Sequence, residues 1–174
     1  MLRRFYPGVR YDSAYAIDFS KYYELGYRAV LFDIDNTLVK HDAPADRKAI
    51  DLFSELKSIG FKTCLVSNNH EPRVKTFAEA VGCSYVFMAS KPDTKGFTEA
   101  MDLLGVSKNE TMMVGDQLFT DIWGANRTGI LAVHTRLIAR DPLFHIRLKR
   151  AGENIVMIFF RIYERFHPVQ RYIR

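Results

Sequence analysis

Residues 29–42 read AVLFDIDNTLVKHD, so two carboxylates, Asp33 and Asp35, follow directly on an apolar run. In extended chain, side chains spaced i, i+2 point the same way, and two like charges held that close call for compensation. A divalent cation supplies it in a site that handles phosphate. Three more apolar runs lead into polar clusters of the same kind: SNN at 67–69, SKP at 90–92 and GDQLFTD at 115–121. Together the four clusters offer carboxylates, a hydroxyl and a lysine. Phosphoryl transfer can use these groups: a nucleophile, which a carboxylate can supply through an aspartyl-phosphate, a second group to protonate the leaving oxygen and activate water, and cations around the phosphoryl oxygens.

Such residues converge only if the elements before them form one sheet. The apolar runs AVLF (29–32), FKTCLV (61–66), SYVF (84–87), TMMV (111–114) and ILAV (130–133) alternate with segments whose apolar residues recur at helical spacing. These are Ile50, Phe53 and Leu56, then Val74, Phe77, Ala78 and Val81, then Phe97, Met101 and Leu104. Gly60, Gly82, Gly105 and Gly129 stand where helices should stop, and Pro72 stands near a helix start. The pattern predicts a doubly wound α/β domain with a parallel sheet from about Ala29 to Thr135. Ligands of such sheets bind outside the carboxyl ends of the strands, which is where the four clusters fall. No repeat or low-complexity tract interrupts the pattern.

The segments DIDNTLV, VSNN, KP and VGDQLFTD, in that order, resemble the four motifs of the haloacid dehalogenase (HAD) superfamily phosphatases, and within it the subfamily IIIA group of YqeG type, which includes phosphatidylglycerophosphate phosphatases. The likeness covers roughly residues 25–135. It implies an HAD-like Rossmannoid fold, with Asp33 as nucleophile and Asp35 as general acid and base. It further implies Ser67 and Asn68 in substrate binding, Lys91 as the balancing charge, and a Mg²⁺ site of Asp33, the Asp35 backbone carbonyl, Asp116 and Asp121. Thirty positions separate Thr37 from Ser67 and 24 separate Ser67 from Lys91. One helix and one strand use up each gap, so the enzyme is expected to be capless and its site open.

Taken singly, each residue also has a plain structural use. A D-x-D pair can be an ordinary strand end, Asp116 a helix cap, Asp121 a first-turn charge and Lys91 a surface lysine. Asn36 and Asn69 read as turn formers. The five histidines, His41, His70, His134, His145 and His167, lack ligand spacing and read as solvated or core residues. Trp123 is expected to pack on the sheet. Cys64 and Cys83 form no disulfide framework, which fits reduced thiols in a cytoplasmic protein.

A chain of 174 residues fits one domain, with a catalytic core at about 25–135 and a C-terminal extension at about 136–174. Charge divides along the same lines: residues 1–30 carry +2, residues 31–135 carry −3 and residues 136–174 carry +6. Basic flanks fit an anionic surface or partner. The extension is expected to form two short amphipathic segments, about 143–150 and 154–166, broken at Pro142 and Gly152. Arg147, Lys149 and Arg150 followed by IVMIFF (155–160) fit an interfacial segment drawn to anionic lipid. A soluble helix covering the sheet is the alternative.

No run approaches the ~20 apolar residues of a membrane span, and the N-terminus lacks the apolar core of a signal peptide. The expectation is therefore a Mg²⁺-dependent phosphomonoesterase, cytoplasmic or peripheral at the inner face of the membrane, acting on phosphatidylglycerophosphate. A soluble phosphatase of nucleotide, sugar or nucleic-acid-end phosphates is the second reading and a non-catalytic scaffold the third. No nucleic-acid partner is expected, since the catalytic region lacks an aromatic-interleaved basic stripe, and the oligomeric state is left open.

Overall fold

The computed structural model describes residues 2–139 and 144–166, with residues 144–149 described in their backbone alone. Six parallel strands form one sheet in the order β1-β6-β5-β2-β3-β4. They are β1 (Val9–Tyr11), β2 (Ala29–Phe32), β3 (Lys62–Val66), β4 (Ser84–Val86), β5 (Thr111–Gly115) and β6 (Leu131–Thr135). The helices are α1 (Phe19–Glu24), α2 (Arg47–Ile59), α3 (Glu71–Val81), α4 (Lys95–Leu104), α5 (Trp123–Thr128) and α6 (Phe144–Phe166). All five expected runs are strands.

Strand β1 adds a sixth: Val9 pairs with Val133 at the β6 edge, so the sheet begins well before Ala29. With only three residues and one buried side chain, β1 carries little periodic signal of its own.

Alternate residues of each central strand face opposite layers, and both layers are buried, which is why these strands read as continuous apolar runs. Val30, Phe32, Leu65, Met112 and Val114 pack against α1, α2 and α3. Ala29, Leu31, Cys64, Val66 and Met113 pack against α4, α5 and α6. The four glycines do end their helices in the left-handed region, Gly60 with φ of 108° at the end of α2. Pro72 is the second residue of α3, where its missing N–H costs nothing. Between β2 and β3 the one helix is α2, reached through the loop of residues 33–46, and between β3 and β4 it is α3, with no inserted cap.

The extension departs from expectation. A single helix runs from Phe144 to Phe166, and Gly152 lies inside it. A Cβ at Gly152 would stand 3.2 Å from the Phe119 ring, so this glycine permits close packing against residues 118–122. Helix propensity disfavours an interior glycine by about 1 kcal/mol, and tertiary contact outweighs it. Pro142, residue 143 and Pro168 lie outside the described residues. Val156 and Phe160 are buried, Phe160 edge-on to Tyr6 at 4.9 Å. Trp123, expected against the sheet, packs edge-on to Phe5 of the N-terminal segment at 5.0 Å, with Arg4 and Arg127 over its ring.

Both cysteines are free, and burial pushes their thiols up. No helix among the described residues is long and apolar enough to cross a membrane.

Candidate active site

The chain leaves β2 towards β3 and β4 on one side, then returns to β5 and β6 on the other. The crevice between the carboxyl ends of β2 and β5 is the topological switch point, where a doubly wound sheet opens to a ligand. Asp33 follows β2 and Asp116 follows β5. The Asp33 N–H donates to Val114 O at 3.0 Å, which continues the β2–β5 ladder by one residue. A tight turn then closes on Ile34 O, which accepts from the N–H groups of Thr37, Leu38 and Val39. Asn36 takes a positive φ of 62° in that turn, a conformation asparagine tolerates. It is a turn former, as expected.

Behind β5, residues Leu118–Ile122 form a π-helical turn, a rare feature that often marks functional sites. It swings the Asp121 carboxylate back over the strand end. Asp121 Oδ2 accepts from the Gln117 N–H at 3.0 Å. Gly115 makes room: a Cβ there would lie 2.5 Å from the Asp121 side chain.

Asp33, Asp116 and Asp121 are all buried, and one carboxylate oxygen from each lies within 4.8 Å of the others. Lys91 reaches into this group from the loop after β4 and donates to Asp33 Oδ1 and Asp121 Oδ1, each at 2.7 Å. Burial works against the lysine's charge, but Asp121 and Asp33 outweigh it and hold Lys91 above its ordinary value. Burial, aided by Asp121 and opposed by Lys91, pushes Asp33 up to about 7. Asp116 is raised well above the usual carboxylate range, chiefly by burial and against the pull of Arg150.

These shifts have one cause. Three carboxylates are withdrawn from water with too little positive charge among them. A hard divalent cation with oxygen preference fits that deficit and that donor set.

Asp35 points elsewhere. Its Oδ2 accepts from Asn69 Nδ2 at 2.5 Å, and its Oδ1 accepts from Arg73 Nη2 at 3.2 Å and from the Asp42 N–H at 2.9 Å. His41 Nδ1 lies 4.0 Å away. Asp35, His41 and Asp42 also come within reach of one another, but Arg73 already balances Asp35 there, so this grouping has less need of a cation.

Ser67 is buried at the end of β3, and its Oγ accepts from the Asn69 N–H at 3.2 Å. Asn68 accepts from the Lys91 N–H at 2.7 Å and donates to Lys91 O at 3.1 Å. Its amide is therefore occupied in fixing the backbone that carries Lys91.

Several contributors were not expected. Thr37 Oγ1 donates to Asp116 Oδ1 at 3.2 Å, and the DIDNT spacing could have suggested it. Asn69 and His41 read as a turn former and a solvated residue, yet both meet Asp35. The Asp35 web also uses Arg73, which no short motif marks. His134 is half-buried with Nε2 3.1 Å from Asp116 O, and its desolvation pushes it down to about 4.

The largest surprise is Arg150, grouped by sequence with the lipid-facing basics. It donates to the Asp116 carboxylate, to Asp116 O at 2.9 Å and to Glu153 Oε2 at 3.1 Å. Its guanidinium belongs to the site.

The chain matches the family described as haloacid dehalogenase-like hydrolase over residues 42–129. It is 35% identical over 159 residues to the protein named Probable phosphatase YqeG of Bacillus subtilis (strain 168), covering 90% of this chain and 92% of that one. It is 29% identical over 159 residues to phosphatidylglycerophosphate phosphatase 1, chloroplastic, of Chlamydomonas reinhardtii, covering 84% of this chain and 57% of that protein. The crystal structure of a HAD-superfamily hydrolase from Ehrlichia chaffeensis superposes with a TM-score of 0.51 at 14% identity, over 62% of this chain and 91% of the other. At that identity the likeness is one of fold.

Proposed function

Because this chain belongs to the haloacid dehalogenase-like hydrolases and is a phosphatase of that family, we propose that it cleaves phosphate monoesters through an aspartyl-phosphate on Asp33, with Mg²⁺, and that phosphatidylglycerophosphate at a membrane surface is its substrate. The observation that carries the chemistry is Lys91 held at 2.7 Å from both Asp33 and Asp121 at the β2–β5 switch point.

Asp33 attacks phosphorus with a carboxylate oxygen while the bond to the leaving oxygen breaks. Asp35 gives that oxygen its proton, then takes a proton from the water that attacks the acyl phosphate, releasing phosphate and free Asp33. Asn69 and Arg73 fix the Asp35 carboxylate for both steps. Lys91 is placed to hold the charge that spreads over the phosphoryl oxygens. Mg²⁺ held by Asp33, Asp116 and Asp121 would neutralise the carboxylates and the phosphate together.

Three observations favour the lipid. The relative from Chlamydomonas reinhardtii is named for it, no cap intervenes between the strands to enclose a small metabolite, and α6 leaves a row of large apolar side chains in solvent, Ile155, Ile158, Phe159, Ile162 and Phe166. A cleft of about 430 Å³ opens beside the turn after β2, lined by Tyr15, Leu38, Pro44 and Ile138 with Lys40, Lys48 and Asp46. Its apolar wall suits the acyl chains of such a leaving group, and its two lysines outnumber the one acid beside the phosphodiester.

The test is Mg²⁺-dependent phosphate release from phosphatidylglycerophosphate in mixed micelles, beside a panel of water-soluble phosphomonoesters, by wild type and Asp33→Asn. A strong preference for the lipid, absent in the variant, is expected. Activity confined to soluble esters would leave the aspartyl-phosphate chemistry standing and remove the lipid.

A further inference from the structure

Both oxygens of the Asp116 carboxylate are in use. Oδ1 accepts from Thr37 Oγ1 and Oδ2 accepts from Arg150 Nη2. Asp116 is nonetheless one of the three carboxylates that converge as a cation site, and a cation there needs one of those oxygens.

The two partners are not equally easy to displace. Thr37 is neutral, buried, and fixed in the turn that Ile34 O closes. Arg150 reaches in from α6 at the edge of the domain, on a long side chain that retains some contact with solvent.

Charge points to the same partner. Asp33, Asp116 and Asp121 face Lys91 and Arg150, and only Arg150 bonds to Asp116. A divalent cation bound to Asp116 would share that carboxylate with a guanidinium in a site shielded from water, where repulsion is strongest. A second acceptor already waits: Glu153, one turn along α6, is buried, accepts from Arg150 Nη1 at 3.1 Å and accepts from the Phe119 N–H at 3.1 Å.

We infer that Arg150 is the resident counter-ion of Asp116, which it surrenders to Glu153 when a divalent cation enters, so that α6 is fastened to the acidic cluster only while the cation is away. The inference rests on the Mg²⁺ reading above and adds to it that the C-terminal helix sets the metal affinity of the site.

Calorimetric titration of MgCl₂ into wild type, Arg150→Gln and Arg150→Lys tests it. Arg150→Gln should bind Mg²⁺ about tenfold or more tightly than wild type, the scale of effects seen for groups bonded to metal ligands, with Arg150→Lys between the two. An equal or weaker affinity in folded Arg150→Gln would overturn the inference alone. Absence of Mg²⁺ binding in every protein would overturn the metal reading and this inference with it. Should Arg150→Gln fail to fold, hydrogen exchange in the wild type decides: Mg²⁺ should speed exchange in α6 around residues 150–154, and unchanged or slower exchange there overturns the inference.

Discussion

Lys91 Nζ lies 2.7 Å from Asp33 Oδ1, and both groups are buried at the end of the sheet. A pair so enclosed is costly to break, because the survivor is left charged without a partner. Lys91→Met should abolish turnover and cost about 3–5 kcal/mol of stability. Urea denaturation without metal, beside a phosphate-release assay, checks both, and Mg²⁺ should restore part of the stability without restoring activity.

The pH dependence of stability follows from the raised carboxylates. In the folded protein Asp33 titrates at about 7 against 3.8 for the ordinary group, and Asp116 and Glu153 are raised as well. Between the two values the folded state holds more protons than the unfolded one, so stability falls as pH rises. His134 acts in the opposite direction, since it is depressed from 6.5 to about 4 and its contribution is lost as pH falls through that window. The metal-free protein should therefore become less stable from about pH 4 to about pH 7, with a slope softened by His134. Thermal melts in EDTA should show this, His134→Gln should steepen the fall, and saturating Mg²⁺ should flatten it.

Gly115 and Asp121 make a separate prediction. Since a Cβ on residue 115 would lie 2.5 Å from the Asp121 carboxylate, Gly115→Ala must push that side chain aside. Strand residues tolerate alanine, so the damage should fall on the site more than on the fold. A displacement on the order of 1 Å at a reacting centre costs about a hundredfold. kcat should drop by about that factor while circular dichroism stays unchanged.

The sequence was most informative where the signal is local. Strand runs buried on both faces, glycine stops and the polar clusters after β2, β3, β4 and β5 are contiguous in sequence, so Asp33, Lys91, Asp116 and Asp121 were legible before any coordinates. Arg150 and Arg73 were not, because each acts across the fold: 34 positions separate Arg150 from Asp116 and 38 separate Arg73 from Asp35. Surface composition suggested lipid for Arg150, whereas burial of one end of α6 turns it inward. Gly152 misled for a related reason. A glycine reads as a break when its neighbours are unknown, and it is a packing contact once Phe119 is opposite.

Asn69 offers a test of the acid–base step. Its amide and the Arg73 guanidinium each hydrogen-bond one oxygen of Asp35, with His41 nearby. Asn69→Ala removes one of them without touching Asp33 or the carboxylates beneath it. General acid–base catalysis contributes about 10²–10⁴-fold, and part of that should be lost: kcat should fall by about tenfold or more, with little change in Mg²⁺ affinity measured by calorimetry. An equal fall in metal affinity would mean that Asn69 supports the cation site instead.

Helix α6 brings the lipid reading to its sharpest test. Ile155, Ile158, Phe159, Ile162 and Phe166 are between 49% and 75% exposed although they recur at helical spacing along one side of the helix. Val156 and Phe160, on the other side, already fill the contact with the core, so the exposed row is not needed to hold α6 in place. Arg161 and Arg165 lie along the solvent side of the same helix. Apolar side chains bordered by basic ones suit an anionic bilayer, where each basic group near the surface adds about 1 kcal/mol. Replacing Ile158, Phe159 and Ile162 together by Asp, Ser and Asp should abolish sedimentation with phosphatidylglycerol vesicles and leave turnover of a soluble phosphomonoester unchanged. Binding of the wild type should weaken as salt rises, because the basic side chains act through a screened field. Wild-type protein that ignores such vesicles, or a triple variant that binds them as well as wild type, would remove α6 as the lipid-facing element, and a change in oligomeric state of the variant would identify the exposed row as a contact between copies of the chain.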